Sequence, residues 1–275
     1  LKDRIGADEI SGAASLRIVA NLAVGYDNID LEAMSAAGIA VSNTADVLNE
    51  SVADYAWALL LGAARRMTAA ERWVREGHWH STGFKAWLGT DVRGRTLGIL
   101  GMGRIGQAIA RRAMSFAMPV IYHNRSPLPQ AIEQACNARH VGKRQLLCDS
   151  DFLVLALPLT AQTRHAVGAA ELALMRPTAM LINIARGGIV DDAALAAALR
   201  EQRLAGAALD VFEGEPTVHP ALLGLDNVIL SPHIASATID TRRAMTSVAV
   251  DNVLAMFGQG PHAGRPPNLL NPDVL

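Results

Sequence analysis

Cysteine is scarce in this chain, with only Cys136 and Cys148 among 275 residues. One pair with no second pair rules out a disulfide framework or a zinc ribbon. Free thiols that pack on helix surfaces suit a reducing, cytoplasmic setting. Net charge is equally scant, at −1, and no Lys/Arg block compensates for it, so nucleic acid is excluded as a partner. No apolar run approaches the roughly 20 residues that span a bilayer, so no membrane partner is expected either. Low-complexity tracts and internal repeats are missing. His78 and His80 have no third ligand near them in sequence, so no metal site is expected and a loop or interface role is assigned to them.

What is present is apolar residue content. Hydrophobic residues make up 51% of the chain and charged residues 19%, enough for a sizeable core and too apolar for disorder. The length suits one large domain or two moderate ones. An apolar run at 16–24, a short helix near 31–37 and a strand at 39–43 form a βαβ fragment. Two parallel strands make a poor sheet alone. With no initiator methionine and no signal-peptide pattern at Leu1-Lys2-Asp3, we expect either an N-terminal piece to be missing or the domain to be naturally cut down. A helix at 50–67, a second at 69–77 and a loop at 77–91 carrying Trp79, Phe84 and Trp87 follow.

From Thr96 onward strands and helices alternate. Strands are predicted at 96–100, 119–122, 151–157, 179–184, 206–210 and 227–230. Helices are predicted near 104–117, 129–136, 143–149, 169–175 and 191–202. Runs such as Phe152-Leu-Val-Leu-Ala-Leu157 are apolar on both faces, as in a parallel sheet under helices. The pattern predicts an α/β, doubly wound parallel Rossmann-type sheet over 47–237. A second, smaller unit, flavodoxin-like and truncated at its N-terminus, is assigned to 1–46 and 238–275, the latter through a helix near 240–257.

Gly101, Gly103 and Gly106 punctuate the junction of the first strand and its helix. A G-x-G-x-x-G in that context has a mechanism: the first glycine allows a tight turn, the second lets a pyrophosphate approach the backbone, and the third lets helix lie on strand. The helix N-terminus then offers N–H groups and its positive dipole end to a phosphate. An NAD site normally has Asp or Glu at the end of the second strand. Here Val120-Ile-Tyr122 runs into His123-Asn124-Arg125-Ser126, with no carboxylate. Arg125 and Ser126 suit a ribose 2′-phosphate, so NADP(H) is preferred and NAD(H) remains possible. His123 is expected to pack on adenine or face solvent.

Three segments fall at carboxyl ends of later predicted strands: Asn183-Ile-Ala-Arg-Gly-Gly188, Asp210-Val-Phe-Glu-Gly-Glu-Pro216 and Ser231-Pro-His-Ile234. They supply a fixed cation (Arg186), a carboxylate (Glu215) and an imidazole (His233), where open α/β sheets bind ligands. With Val24-Gly25-Tyr-Asp-Asn-Ile-Asp30, Gly101–Gly106 and Leu157-Pro-Leu-Thr160, these segments make the chain resemble the D-isomer-specific 2-hydroxyacid dehydrogenase family. The Gly89-Thr-Asp segment, the Asn-Arg-Ser turn and the closing Asn271-Pro are most similar to its glyoxylate/hydroxypyruvate and 2-ketogluconate reductase branch.

That resemblance implies NADPH-dependent reduction of a small 2-oxo acid. His233 gives the proton, Glu215 orients its ring, and Arg186 binds the substrate carboxylate together with backbone around Val24 and Gly25. It also implies cofactor contacts at Arg104, Ile105, Asn124, Leu157, Pro158, Thr163, Ile184, Ala185, Arg186, Asp210, His233 and Ala235, with Asp210 near the nicotinamide. A two-fold homodimer, formed through the helix at 50–67 and the loop at 77–91, is expected on the same ground. Formate dehydrogenases of similar sequence have glutamine in place of Glu215, which disfavours formate oxidation. Two further readings remain open: a dehydrogenase-like corepressor or NAD(P)-sensing interaction protein, and an inactive fragment.

Overall fold

The computed structural model describes residues 3–81, 83 and 85–275. In chain order the elements are β1 (Ile18–Ala20), α1 (Leu31–Ala36), β2 (Ala40–Ser42), α2 (Asn49–Ala64), α3 (Met67–Arg75), β3 (Leu97–Leu100), α4 (Arg104–Ala113), β4 (Val120–His123), α5 (Gln130–Ala135), β5 (Ala138–His140), α6 (Lys143–Asp149), β6 (Phe152–Leu155), α7 (Ala169–Leu172), β7 (Met180–Asn183), α8 (Asp192–Arg200), β8 (Gly206–Leu209), α9 (Pro220–Leu223), β9 (Val228–Leu230) and α10 (Ile239–Met256). The chain divides into two compact units, at Ser51/Val52 and at Ala235/Ser236.

In the first unit β1 and β2 pair in parallel, Ile18 opposite Ala40. The Asp30 carboxylate caps α1 by accepting from Ala33 N at 2.9 Å. Met34, Ile39 and Val41 are buried with Ile29 as a small core. The C-terminal tail completes this sheet with a side chain. Asn271 Oδ1 accepts from Val41 N at 2.7 Å, and its Nδ2 donates to Ile39 O at 2.9 Å and to Ser35 Oγ at 3.0 Å. On α10, fully buried Asn252 donates to Val248 O and accepts from Asn268 N at 3.0 Å. The tail is thus held by amide side chains beside an antiparallel backbone bridge between Ser42 and Leu269, with Leu270 N donating to Val41 O at 2.8 Å and Asn43 N to Asn268 O at 3.1 Å.

The second unit is a seven-stranded, all-parallel sheet in the order β5-β4-β3-β6-β7-β8-β9. The doubly wound Rossmann-type sheet is therefore present as expected. Strands β3, β6, β7 and β8 are buried at every position, which explains their unbroken apolar sequence. Each Leu, Ile or Val removed from water contributes roughly 1.5–3 kcal/mol, so these four strands anchor the unit. Helix α2 buries Ala56, Trp57 and Leu60; Trp57 stacks on Phe116 at 4.5 Å and donates to Ile109 O.

Three details differ from the sequence reading. β5 was not foreseen: it is three residues long with Arg139 exposed, so no apolar run marks it. β1 occupies only 18–20 of the predicted run. Cys136 is buried at the C-cap of α5, with Sγ toward Gln107 O, rather than on a helix surface; burial pushes its thiol up, against the pull of Arg111. Cys148 is half-buried on α6. In the 77–91 loop Trp87 packs against Trp73 and under Arg66, Trp79 is exposed, and Phe84 lies outside the described residues.

Candidate active site

The strand order reverses between β3 and β6, and their carboxyl ends splay a crevice there. The glycine turn occupies it. A Cβ on Gly101 would come within 2.7 Å of the Ala156 carbonyl and Leu157 N, and one on Gly106 within 2.5 Å of the Gly101 carbonyl. Around Gly103, by contrast, the space is open within 4 Å. Two glycines are required by packing, and the third leaves a bare backbone face. Helix α4 begins at Arg104, and its N-cap Gly103 gives no side-chain hydrogen bond, so the positive end of the helix dipole lies at the glycine turn, where it favours an anion. These features fit a dinucleotide pyrophosphate.

Beside the turn, β4 ends in His123. Its carbonyl accepts from Gly101 N at 3.1 Å, and Asn124 Oδ1 accepts from Met102 N at 2.7 Å. Asn124 thus ties the glycine turn to the Arg125-Ser126 corner, where both residues are exposed. His123 does not lie free in solvent: its Nδ1 donates to Val141 O at 2.9 Å and one face of the ring stacks on His140 at 5.7 Å.

After β6, Leu157 and Pro158 enter a loop closed by Thr163, whose Oγ1 donates to Pro158 O and accepts from Thr160 N, each at 2.7 Å. Glu213 ties this loop to the one after β8. Its carboxylate pairs with Arg164 and, at 2.9 Å, with His165 Nε2, while its N–H donates to the buried Asp192 carboxylate at 3.0 Å. Burial raises the pKa of Asp192, with the Glu213 charge adding to the shift. Nothing in the sequence periodicity marked this tie.

Arg186 follows β7. Asn183, almost fully buried, accepts from Ala185 N and donates to Arg186 O, both at 3.1 Å, which sets the loop carrying Ile184, Ala185 and Arg186. Arg186 Nη1 reaches Ala185 O at 2.8 Å. A Cβ on Gly187 would overlap the Phe212 carbonyl, so glycine lets this loop lie on the one carrying Glu215. Asp210 N also donates to Asn183 O at 3.0 Å.

The structure brings Glu215 and His233 into direct contact, with Oε2 to Nδ1 at 2.9 Å. Glu215 Oε1 accepts from Phe212 N at 2.9 Å, which fixes the carboxylate. A carboxylate on Nδ1 places the proton there and leaves Nε2 facing outward. His233 itself sits in the left-handed region, φ 56°, on a loop held by Asp210. The wholly buried Asp210 carboxylate accepts from Ser231 Oγ at 2.7 Å, Ile234 N at 2.9 Å and Ala235 N at 2.8 Å. Asp210 therefore supports the His233 loop from beneath.

Within the first unit, Val24 and Gly25 lie on a loop organised by asparagines the sequence reading did not single out. Asn43 Nδ2 donates to Val24 O at 3.0 Å, Asn21 Nδ2 to Gly25 O at 2.8 Å, and Thr44 N to Ala23 O at 3.0 Å. In a trans peptide the N–H points opposite to the C=O. Holding the Ala23 and Val24 carbonyls toward Asn43 and Thr44 turns the N–H groups of Val24 and Gly25 away from them, together.

Among the described residues no cluster of three or more His, Cys, Asp or Glu side chains is placed to hold a metal ion, and no helix is long and apolar enough to cross a membrane. A concavity of about 550 Å³ lies at the amino ends of β7, β8 and β9, lined by Met180, Gly206 and Val228, away from the strand ends just described.

Residues 57–235 match the profile of the D-isomer specific 2-hydroxyacid dehydrogenase NAD-binding domain. Glyoxylate reductase of Thermococcus onnurineus is 49% identical over 280 residues, covering 100% of this chain and 82% of that protein. Glyoxylate reductase of Aeropyrum pernix is 50% identical over 281 residues with the same coverage. An NADPH-dependent glyoxylate/hydroxypyruvate reductase from Sinorhizobium meliloti, solved with NADP and malonate, superposes with TM-score 0.87 at 43% identity, over 94% of this chain and 80% of that one. This chain therefore belongs to the D-isomer-specific 2-hydroxyacid dehydrogenases, a family of oxidoreductases.

Proposed function

We propose that this protein reduces a small 2-oxo acid, namely glyoxylate, hydroxypyruvate or 2-ketogluconate, to the D-2-hydroxy acid with NADPH. The observation that carries this reading is the Glu215–His233 pair, 2.9 Å apart at the carboxyl edge of the sheet that also forms the glycine cradle. Glyoxylate reductases of similar sequence support the substrate class.

When bound, the reduced nicotinamide supplies hydride to C2 of the substrate. His233, protonated, gives a proton from Nε2 to the oxygen on C2, and Glu215 stabilises the imidazolium through Nδ1. Arg186 pairs with the substrate carboxylate and polarises the carbonyl; a guanidinium suits this forked task. For the first unit we assign the paired N–H groups of Val24 and Gly25 to carboxylate recognition. Gly101, Gly103, Arg104, Ile105 and Gly106 hold the pyrophosphate. Leu157, Pro158, Thr163, Ile184, Ala185 and Ala235 shape the remaining wall, while Asp210, wholly buried and with its N–H given to Asn183 O, acts on the nicotinamide side only by holding the His233 loop. The preference for NADP(H) over NAD(H) is assigned to Asn124, Arg125 and Ser126, since the end of β4 bears no carboxylate. Free Cys136 and Cys148 support a cytoplasmic location. Exposed Met67, Val74, Trp79 and Leu88 support a homodimer, checked by light scattering during size exclusion.

The test is NADPH oxidation followed at 340 nm with each of the three 2-oxo acids, repeated with NADH. Turnover of at least one is expected; none from folded protein overturns the reading.

A further inference from the structure

The β4/β5 ladder ends with Val141 N donating to Tyr122 O at 2.9 Å. Beyond that point two imidazoles continue it. His123 Nδ1 lies 2.9 Å from Val141 O, and His140 Nε2 lies 3.1 Å from Asn124 O. Carbonyl oxygens only accept, so each of these nitrogens carries its proton. The rings stack on one another at 5.7 Å and 24°, and His140 also meets Tyr122 edge-on at 5.2 Å. Both histidines are half-buried, so the two bonds are partly shielded from water.

These contacts bear on one short turn. Asn124 is held through its carbonyl by His140 and through its side chain by Met102 N. Four residues later the chain is held again, Leu128 N donating to the Tyr122 hydroxyl at 2.6 Å, and that hydroxyl donates to Glu133 Oε1 at 2.7 Å. Between these anchors Arg125 and Ser126 are exposed and make no hydrogen bond among the described residues. A turn pinned at entry and exit, with its cation and hydroxyl unspent, is preorganised for an anion.

We propose that His140 is a positioning residue for cofactor selection, holding the Asn124–Ser126 turn in the shape that receives a ribose 2′-phosphate while not itself touching it. The proposal rests on the NADP reading above. His140 donates to the carbonyl of the peptide that leads into Arg125, and among the described residues no backbone N–H donates to that carbonyl in its place.

The experiment is calorimetric titration of the full chain with NADP⁺ and with NAD⁺, independent of turnover. His140→Phe keeps the ring stack and removes the donor. It is expected to weaken NADP⁺ binding about fivefold, the scale of one lost hydrogen bond, and NAD⁺ binding by less than about twofold. His140→Gln, whose amide N–H reaches the same carbonyl, is expected to restore NADP⁺ binding. If the phenylalanine variant does not fold, His140→Leu replaces it, with thermal melting as the check. Equal weakening of both cofactors, or no weakening, overturns the proposal, as does failure of glutamine to rescue. Arg125→Ala separates the two levels. If it leaves the NADP⁺/NAD⁺ ratio unchanged, both readings fall. If it collapses that ratio while His140→Phe does not, only the role of His140 falls.

Discussion

Glu215 uses one carboxylate oxygen on Phe212 N and the other on His233 Nδ1, each at 2.9 Å, so the ring is oriented by a group that is itself held. The proton-transfer assignment follows from that bond. His233→Ala is expected to lower kcat about 10²–10⁴-fold, the usual contribution of a positioned acid. Glu215→Gln keeps an acceptor for Phe212 N but removes the charge facing the imidazolium, and is expected to lower kcat by about ten- to a hundredfold. Steady-state rates at saturating substrate check both. An unchanged kcat in His233→Ala removes it as proton donor.

Arg125 is exposed at the end of β4 in a strand-to-helix corner without a carboxylate. Losing a charged, forked donor to a phosphate costs on the order of 1.5–3 kcal/mol. Arg125→Ala should therefore raise KM for NADPH about ten- to a hundredfold and leave KM for NADH nearly constant. Parallel rises in the two KM values would show that Arg125 does not read the 2′-phosphate.

Local signals carried the second unit. Buried strands such as Phe152–Leu155 announce themselves as apolar runs, and the glycine spacing at 101–106 marks a turn whose packing the structure then explains. Arg186, Glu215 and His233 were legible because each follows a strand end. What stayed hidden depends on partners distant in sequence or on conformations with no periodic signature. Asn271 meets Val41 across 230 positions, and β5 exists through pairing with β4 rather than through its own apolarity. The single helix predicted over 50–67 ends at Ala64 because Arg66 adopts φ 52° before α3. His123 and His140 gave no pattern, since a ring bonded to a neighbouring strand looks in sequence like any surface histidine.

Asn271 offers a stability test in the first unit. Its amide satisfies Val41 N and Ile39 O, both in buried residues. Asn271→Ala strands these groups and is expected to cost roughly 1–3 kcal/mol, the penalty of an unsatisfied buried partner. Asn271→Asp should cost at least as much, because a carboxylate faces the Ile39 carbonyl with no N–H to donate. Urea denaturation measures both. A near-neutral aspartate variant would mean that side-chain volume, and not hydrogen bonding, is what the position requires.

Asp192 and Glu171 give opposite pH signatures. Burial pushes the Asp192 carboxyl above its ordinary value, so between the unfolded and folded values the native state holds more protons than the unfolded chain. Stability from this group falls as pH rises through that window. Glu171 is also penalised by burial, but the hydrogen bond from Lys143 at 3.0 Å and that from Gly168 N at 3.2 Å outweigh it and hold its carboxyl low. Its contribution is present above the unfolded value and is lost as pH falls through the depressed one. Asp192→Asn keeps an oxygen to accept from Glu213 N while removing the ionisation. In denaturation curves taken across the carboxylate range, this variant should lose the decline on the alkaline side of the ordinary Asp value. It should retain the acid-side loss that Glu171→Gln removes. An alkaline-side slope equal to that of the parent would show that Asp192 ionises as freely in the folded chain as in the unfolded one.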